Sequence, residues 1–200
     1  HNWFNDERVT DNTAHGIFPN AKYHQLERLN RILGNRNNEI TLLMRPVGAS
    51  AVVGVASLSD IDQQRGCAQF SMTIGSHSHS KNIMFIGLEA KARMASHGFE
   101  KLGLKRIFTG QPLSLEYWQR FQILFGFKPE GIQKKAFRKG LNIQDTVMTA
   151  CLVEDYLKLK NARGGNFWPG KSAVLDMMRT IPKQSLIKKI SKTIDDMVEE

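Results

Sequence analysis

Residues 67–110 decide the fold of this chain, and they read CAQFSMTIG (67–75), SHSHSKNIMFIG (76–87), LEAKARMASHGFEKLGL (88–104) and KRIFTG (105–110). In the first segment every second side chain is apolar, at Ala68, Phe70, Met72 and Ile74. This alternation predicts a β-strand that packs on one side. In the third segment the apolar residues recur at helical spacing, at Leu88, Ala92, Ala95, Phe99 and Leu102. They therefore form one stripe of an amphipathic helix.

The end of this helix and the next strand are also marked in the sequence. Gly103 suits the left-handed residue that often follows a helix. A short strand, Arg106–Thr109, comes directly afterwards. A strand, a loop, a helix and a second strand of these lengths predict a right-handed crossover between parallel neighbours.

Several of these segments resemble a known family. IG (74–75), a polar loop, GLEA (87–90), FEKLGLKRI (99–107) and LFGFKPEGI (124–132) are similar to the acetyl-CoA-binding core of the GNAT acyltransferases. The style is that of the enzymes that acetylate ribosomal-protein N-termini, polyamines and amino-sugar nucleotides. The resemblance runs from about Trp3 to Tyr156. It implies an α/β fold with a mixed, mostly antiparallel sheet and helices on both faces, followed here by a C-terminal helical tail.

The resemblance implies a binding site for acetyl-CoA or another acyl-CoA. In the family the strand before the loop binds pantetheine through its backbone, which corresponds here to Met72, Thr73 and Ile74. One main-chain N–H of that strand polarises the thioester carbonyl. The loop and the helix N-terminus wrap the pyrophosphate with main-chain N–H groups. The matching residues are Lys81, Asn82, Ile83, Met84, Phe85 and Gly87.

Two positions depart from the family pattern. The family loop carries two glycines, so that backbone approaches phosphate closely, and Phe85 stands at the first of them. The family also has an Asn near the start of the following helix, where this chain has Leu115. A catalytically degenerate domain that binds a partner therefore remains an alternative to an active enzyme.

The activity implied by the resemblance is N-acyl transfer, most simply N-acetyl transfer, by direct attack of an amine in a ternary complex. Tyr117 is the candidate general acid, and Glu116 is a candidate general base beside Asp60, His97 or a chain of water molecules. The acceptor is expected to be a primary amine on a small molecule, such as an amino sugar, or a protein N-terminus. The acceptor-side residues implied by the family are His15, Phe18 and His24.

Metal binding is not expected. His77 and His79 form an H-x-H pattern, but no Cys, Asp or Glu stands at ligand spacing. The two cysteines, Cys67 and Cys151, both fall in predicted strands and are expected to be reduced, which fits a cytoplasmic protein. No apolar run reaches transmembrane length, and no signal peptide is recognisable. The strand that the family places upstream of residue 1 is not visible.

The sequence predicts a GNAT-like domain over residues 1–157 and a basic helical tail over 158–200. Between Leu157 and Lys192 there are nine Lys or Arg and one acid. A Gly-rich break with two exposed-looking aromatics, Phe167 and Trp168, precedes two amphipathic helices, Ala173–Thr180 and Gln184–Val198. The tail is expected to fold back or to form a homodimer. Binding of a membrane surface or of nucleic acid is the alternative, although nucleic acid would need more interleaved aromatics.

The remaining elements follow from periodicity and turn residues. The expected helices are a short one within Trp3–Thr13, Lys22–Leu33 and one around 115–125. The expected strands are Ile40–Arg45, Ala51–Leu58, Ile132–Phe137 and Thr146–Val153, with turns at Ser59–Gly66 and Arg138–Asp145.

Overall fold

A computed structural model describes residues 2–13, 17, 20–34, 38–75 and 82–181. The six strands of this part of the chain form one mixed, mostly antiparallel sheet in the order β1–β2–β3–β4–β6–β5, as expected from the sequence. The chain divides into two compact units, one up to Phe108 and one from Thr109 onward. β4 begins in the first unit and ends in the second.

The first unit opens with a 3-10 turn over Asn2–Asn5 and the short helix α1, Glu7–Thr10. Helix α2 and three strands follow, and α3 then leads into the start of β4. Their bounds are α2 Lys22–Gly34, β1 Ile40–Met44, β2 Gly54–Asp62, β3 Cys67–Ile74, α3 Ile83–Glu100 and β4 Arg106–Pro112. β2 pairs antiparallel with both β1 and β3.

The core of the first unit confirms the expected stripe of α3 as far as Phe99, whereas Leu102 lies beyond the end of the helix at Glu100 and is partly exposed. Its buried members are Leu88, Ala92, Ala95 and Phe99, and the opposing strands bury Leu58, Ala68, Phe70 and Ile107. Gly98 permits this close packing, because a Cβ there would lie 2.8 Å from Cδ1 of Ile107. The chain leaves the helix through Gly103 at φ +67°, the left-handed conformation predicted for it.

The second unit begins with the end of β4 and a series of short helical segments. These are a 3-10 turn at Leu113–Leu115, helix α4 at Glu116–Gln122 and a 3-10 turn at Ile123–Phe125. The antiparallel strands β5 (Lys128–Lys139) and β6 (Asn142–Leu152) follow, and then helices α5 (Val153–Ala162) and α6 (Lys171–Thr180).

Several predicted bounds are wrong, for local reasons. β2 starts at Gly54 and runs through the first half of the expected turn, because a bulge between Ser59 and Asp62 lets pairing with β3 continue. β5 and β6 extend well beyond the expected segments because a tight turn at Gly140 (φ +59°) joins them. Val153 does not end a strand but begins α5, a helix absent from the sequence-based prediction.

The expectation that Phe167 is exposed is also wrong, and Trp168 is only partly exposed. Phe167 is only 3% exposed and packs against Tyr156, with ring centroids 4.5 Å apart. Trp168 stacks on Phe125 at 5.8 Å. We call Phe125, Tyr156, Phe167 and Trp168 the aromatic cluster. Because Phe125, Tyr156 and Phe167 are buried in this packing, they are not exposed for stacking on nucleic-acid bases.

Arg163 closes the aromatic cluster. Its guanidinium donates hydrogen bonds to the carbonyl oxygens of Phe167 (2.8 Å) and Leu124, and it lies 5.5 Å from the ring centroid of Phe125. Burial lowers the pKa of this guanidinium below its usual value. The second predicted tail helix, Gln184–Val198, lies outside the described residues.

The described helices include none that is long and apolar enough to cross a membrane.

Candidate functional site at the end of β3

The pairing between β3 and β4 is short. Parallel pairing joins Cys67–Gln69 to Arg106–Phe108, whereas β3 itself continues to Ile74. Over this second half β3 keeps its antiparallel pairing with β2, up to Gly54 opposite Ile74. The edge of β3 that faces away from β2 therefore extends beyond its pairing with β4.

The register of β2 and β3 determines which backbone groups point to that edge. The N–H of Gly75 donates to the carbonyl of Val53 at 2.8 Å, and Thr73 lies opposite Val55. Since successive residues of a strand direct their N–H groups to opposite edges, Thr73 faces β2. Met72 and Ile74 then direct their N–H groups to the other edge. We call residues Met72–Gly75 the open edge of β3.

Helix α3 contributes a second set of backbone donors. It starts at Ile83, has 18 residues, and carries no acidic residue in its first turn. Asn82 stands at the N-cap position without a side-chain capping bond, and its carbonyl accepts from Ile86 at 3.0 Å. The first N–H groups of a helix point outward from its N-terminus, where the helix dipole favours an anion. The lack of carboxylates in this turn keeps that preference intact.

Phe85 does not occupy the loop. It lies in the first turn of α3, is 8% exposed, and begins the stripe that continues through Leu88 and Ala92. Its ring therefore belongs to the core. Gly87 is likewise a buried helical residue, and Ile83 and Met84 are partly exposed. The phenylalanine that stands in place of the family's glycine therefore adds an apolar core side chain to the first turn of α3.

The other predicted loop residues lie outside the described part of the chain: Lys81, His77 and His79. In the described ranges, no group of three or more His, Cys, Asp or Glu side chains could hold a metal ion.

Lys91 is a residue that sequence reasoning missed. It is fully buried, and its Nζ lies 5.0 Å from the ring centroid of Phe70. The signal was available, because Lys91 follows Leu88 by three residues and so shares its helix face. Lys91 therefore joins the packing between α3 and β3 through its contact with Phe70.

The predicted proton-transfer residues belong to α4. Glu116 opens the helix and is half-buried, whereas Tyr117 is 62% exposed, with its ring edge-on to Phe121 at 4.4 Å. Leu115 is the N-cap residue of α4. Gln119, which sequence reasoning did not single out, is fully buried and donates from Nε2 to the carbonyl of Pro112 at 2.9 Å.

The acceptor-side predictions are only partly described. His24 is exposed on α2, 6.0 Å from the ring of Tyr23, while His15 and Phe18 lie outside the described residues. Of the alternative bases, His97 is exposed on α3, and Asp60 is exposed at the bulge of β2 with φ +50°.

A surface depression of about 540 Å³ lies beside Asp60, and its lining includes Asn38, Asp62 and Gln64. Asp62 accepts hydrogen bonds from the backbone N–H groups of Gln64 and Arg65, both at 2.9 Å. These bonds are those of a tight turn, so the depression is explained by local structure. None of the predicted cofactor residues lines it.

With this geometry in view, comparison with known proteins gives one consistent result. No protein-family model matches the chain, and no curated protein matches it. Solved structures do match. The spermidine N-acetyltransferase of Vibrio cholerae, in complex with CoA and spermine, superposes with a TM-score of 0.67 at 20% identity, covering 78% of this chain and 89% of that one.

Two further structures agree. A point mutant of the Vibrio cholerae spermidine N-acetyltransferase SpeG has a TM-score of 0.62 at 18% identity, covering 77% of this chain and 88% of its own. A protein of T. thermophilus that carries a provisional assignment as an acetyltransferase has a TM-score of 0.61 at 19% identity, covering 80% of this chain and 82% of its own. The chain therefore has a GNAT-like fold, as its sequence motifs predicted.

Proposed function

We propose that this protein is a CoA-dependent N-acyltransferase, which transfers an acyl group, most simply acetyl, from acyl-CoA to a primary amine. The observation that carries the proposal is the open edge of β3. There a backbone register set by β2 turns the N–H groups of Met72 and Ile74 away from the sheet ladder. Two donors on one strand edge, two residues apart, suit an extended amide-containing arm and a carbonyl that must be polarised.

The start of α3 suits the anionic end of the same donor. Main-chain N–H groups of Ile83 and Met84 at a helix N-terminus without acidic neighbours can hold a pyrophosphate. When bound, acyl-CoA supplies a thioester carbonyl that an amine can attack. The protein's part is to hold the arm in extended form, to hold the phosphates, and to stabilise negative charge on the carbonyl oxygen through an N–H at Met72 or Ile74.

Proton transfer completes the reaction. The attacking amine must lose one proton, and the departing thiolate must gain one, so the amide and the free thiol leave with the atoms balanced. We assign protonation of the thiolate to the Tyr117 hydroxyl, which is exposed and so can regain its proton from water. Glu116, or a chain of water molecules, takes the amine proton. The neighbour solved with spermine makes polyamines the first acceptors to try, beside amino sugars and peptide N-termini.

Calorimetric titration with acetyl-CoA tests the proposal, and Met84 provides the sharpest variant. Met84→Glu places a negative charge in the first turn of α3. This charge interacts favourably with the helix dipole but repels a bound pyrophosphate. We expect micromolar binding to the native protein and at least about tenfold weaker binding to Met84→Glu, with no loss of thermal stability. Met84→Gln, of the same shape without the charge, should bind almost as the native protein does.

The outcomes separate the candidate functions. Binding of acetyl-CoA together with amine-dependent release of free thiol supports the acyltransferase. Tight binding without thiol release for any amine class points to a degenerate, partner-binding domain. Absence of acetyl-CoA binding by the native protein overturns the proposal.

A further inference from the structure

The end of β3 is covered by an indole ring. A Cβ built on Gly75 would collide with Cε2 of Trp3 and lie 2.6 Å from its Nε1. Non-bonded atoms do not approach each other this closely, so Gly75 leaves the space that the ring of Trp3 fills. The φ of Gly75 is not in the left-handed region. The requirement for glycine here is therefore the close approach of Trp3 and not the backbone conformation.

Trp3 is held in this place by a local network of hydrogen bonds. Its carbonyl accepts from the N–H of Asp6 at 3.2 Å, which closes the 3-10 turn. Asn5 donates from Nδ2 to the carbonyl of Asn20 at 2.8 Å and accepts from the N–H of Asn20 at 2.9 Å. This two-way bond ties the turn that carries Trp3 to the segment leading into α2. The indole is thus a positioned ring and not a loose terminal side chain.

The ring of Trp3 packs against Gly75, the residue directly after Ile74, whose N–H is the outermost donor of the open edge. Gly75 follows Ile74 directly, and the N–H of Gly75 is fixed to Val53 at 2.8 Å. A carbonyl bound to the N–H of Ile74 therefore lies one residue along the strand from the position against which the indole packs. Trp3 is only partly buried, so part of its surface remains accessible to a molecule arriving from solvent.

We infer that Trp3 is a specificity-determining residue that contacts the amine acceptor at the end of β3. This inference rests on the proposed function and deepens it. An indole face attracts alkylammonium groups and packs well on aliphatic chains, whereas it gives no favourable contact to a phosphate. The acceptor class is accordingly a primary amine on an aliphatic chain. An anionic amino-sugar nucleotide is disfavoured.

The test is a double-mutant cycle between Trp3 and Gly75, with thiol release followed at varied acceptor and varied acetyl-CoA. In Trp3→Ala we expect the acceptor KM to rise about tenfold, while the acetyl-CoA KM stays within about twofold. Gly75→Ala, which displaces the ring, should raise the acceptor KM similarly. The acceptor KM of the double variant should stay within about twofold of that of Trp3→Ala, because the new Cβ at position 75 no longer meets an indole ring.

Each result decides between the possibilities. Trp168→Phe, in the aromatic cluster, is the matched control and should change neither KM. Equal changes of both KM values, additive effects in the cycle, or a changed preference for acyl length with an unchanged acceptor KM would overturn the role of Trp3. A native protein that binds acetyl-CoA but releases no thiol with any amine would instead overturn the proposed function, and this inference with it.

Discussion

The open edge of β3 and the aromatic cluster use their polar groups in opposite ways. At the open edge, backbone N–H groups of Met72 and Ile74 are turned away from the ladder with β2, beyond the stretch where β3 pairs with β4. In the aromatic cluster, the charged group is used in packing. The guanidinium of Arg163 serves two carbonyls and lies over Phe125 and Phe167.

This contrast indicates where in the fold a ligand can bind. Aromatic and basic residues in the C-terminal segment suggest a binding surface by composition alone, but Arg163, Phe167 and Trp168 are used in packing. The side chains of the open edge carry no charge, and the groups that it offers to a ligand are backbone N–H groups. A ligand gains hydrogen bonds from N–H groups that the fold holds in a fixed direction away from the ladder with β2, because bonds to the ligand offset the desolvation of these groups.

Loss of the Arg163 hydrogen bonds at the aromatic cluster should have the largest effect on stability. Arg163→Met removes the donor to the carbonyls of Leu124 and Phe167, and we expect a loss of about 2–4 kcal/mol in the free energy of unfolding. Denaturant titration measures it. Arg179→Met, which removes an exposed ion pair with Asp176, is the control and should cost less than about 0.5 kcal/mol. A loss equal to the control would mean that the cluster does not depend on Arg163.

A substitution on β2 that displaces the open edge of β3 should have the next largest effect. A Cβ at Gly54 would collide with the carbonyl oxygen of Thr73 and with Cε of Met44. Gly54→Ala should therefore cost about 1–3 kcal/mol of stability and weaken acetyl-CoA binding, because β3 must shift. Gly131→Ala meets no atom within 4 Å and should change neither quantity. Undiminished binding in Gly54→Ala would separate the ligand from the backbone of β3.

A side-chain role should be visible without a stability effect. If Tyr117 protonates the thiolate, Tyr117→Phe should lower kcat about tenfold, the low end of general-acid catalysis, because a thiolate leaves readily. Its exposed hydroxyl predicts an unchanged denaturation midpoint. Tyr23→Phe, another exposed tyrosine, should leave kcat unchanged. Full activity in Tyr117→Phe would assign this proton to water.

The smallest expected effect concerns the β5–β6 hairpin. Asp145 accepts from the backbone N–H of Lys135 (2.8 Å) and the side chain of Lys134 (3.1 Å), and these bonds lower the pKa of its carboxyl group. A lowered folded-state pKa stabilises at neutral pH, and this stabilisation is lost as pH falls below the ordinary carboxyl range and through the folded pKa. Asp145→Asn should flatten the dependence of the denaturation midpoint between neutral pH and about pH 3. Asp176→Asn serves as the comparison, and equal profiles for the two variants would exclude this role of Asp145.

The sequence predicted elements whose pattern is local. Strand β3, the stripe of α3 from Leu88 to Phe99 and the left-handed Gly103 all depend on neighbours within a few residues, and the structure confirms them. The alternation of burial in β3 holds at Ala68 and Phe70, but farther along the strand Thr73 is buried instead of its two apolar neighbours. The same holds for the strand-helix-strand order behind the family resemblance. These patterns survive because burial of one face requires them at each step.

What the sequence did not reveal depends on distant partners. Phe167 was expected to be exposed, but its burial requires Tyr156 and Phe125, and the bond from Arg163 to Leu124 spans 39 residues. Helix α5 was missed because its first residue was assigned to the preceding strand and its last turns to the tail, whereas Tyr156 on it is fully buried. At the open edge, only the register with β2 separates Met72 and Ile74 from Thr73, and register is a property of two strands together.

The contact between Trp3 and Gly75 also gives the protein an optical reporter. The chain has three tryptophans, and the other two, Trp118 and Trp168, belong to the second unit. Replacing both with phenylalanine would leave a single emitter at the end of β3, whose emission wavelength follows the polarity of its surroundings. Binding of acetyl-CoA at the open edge could then be timed by stopped-flow mixing without a dye or a coupled assay, and the same emission would show whether a trial amine binds before or after it.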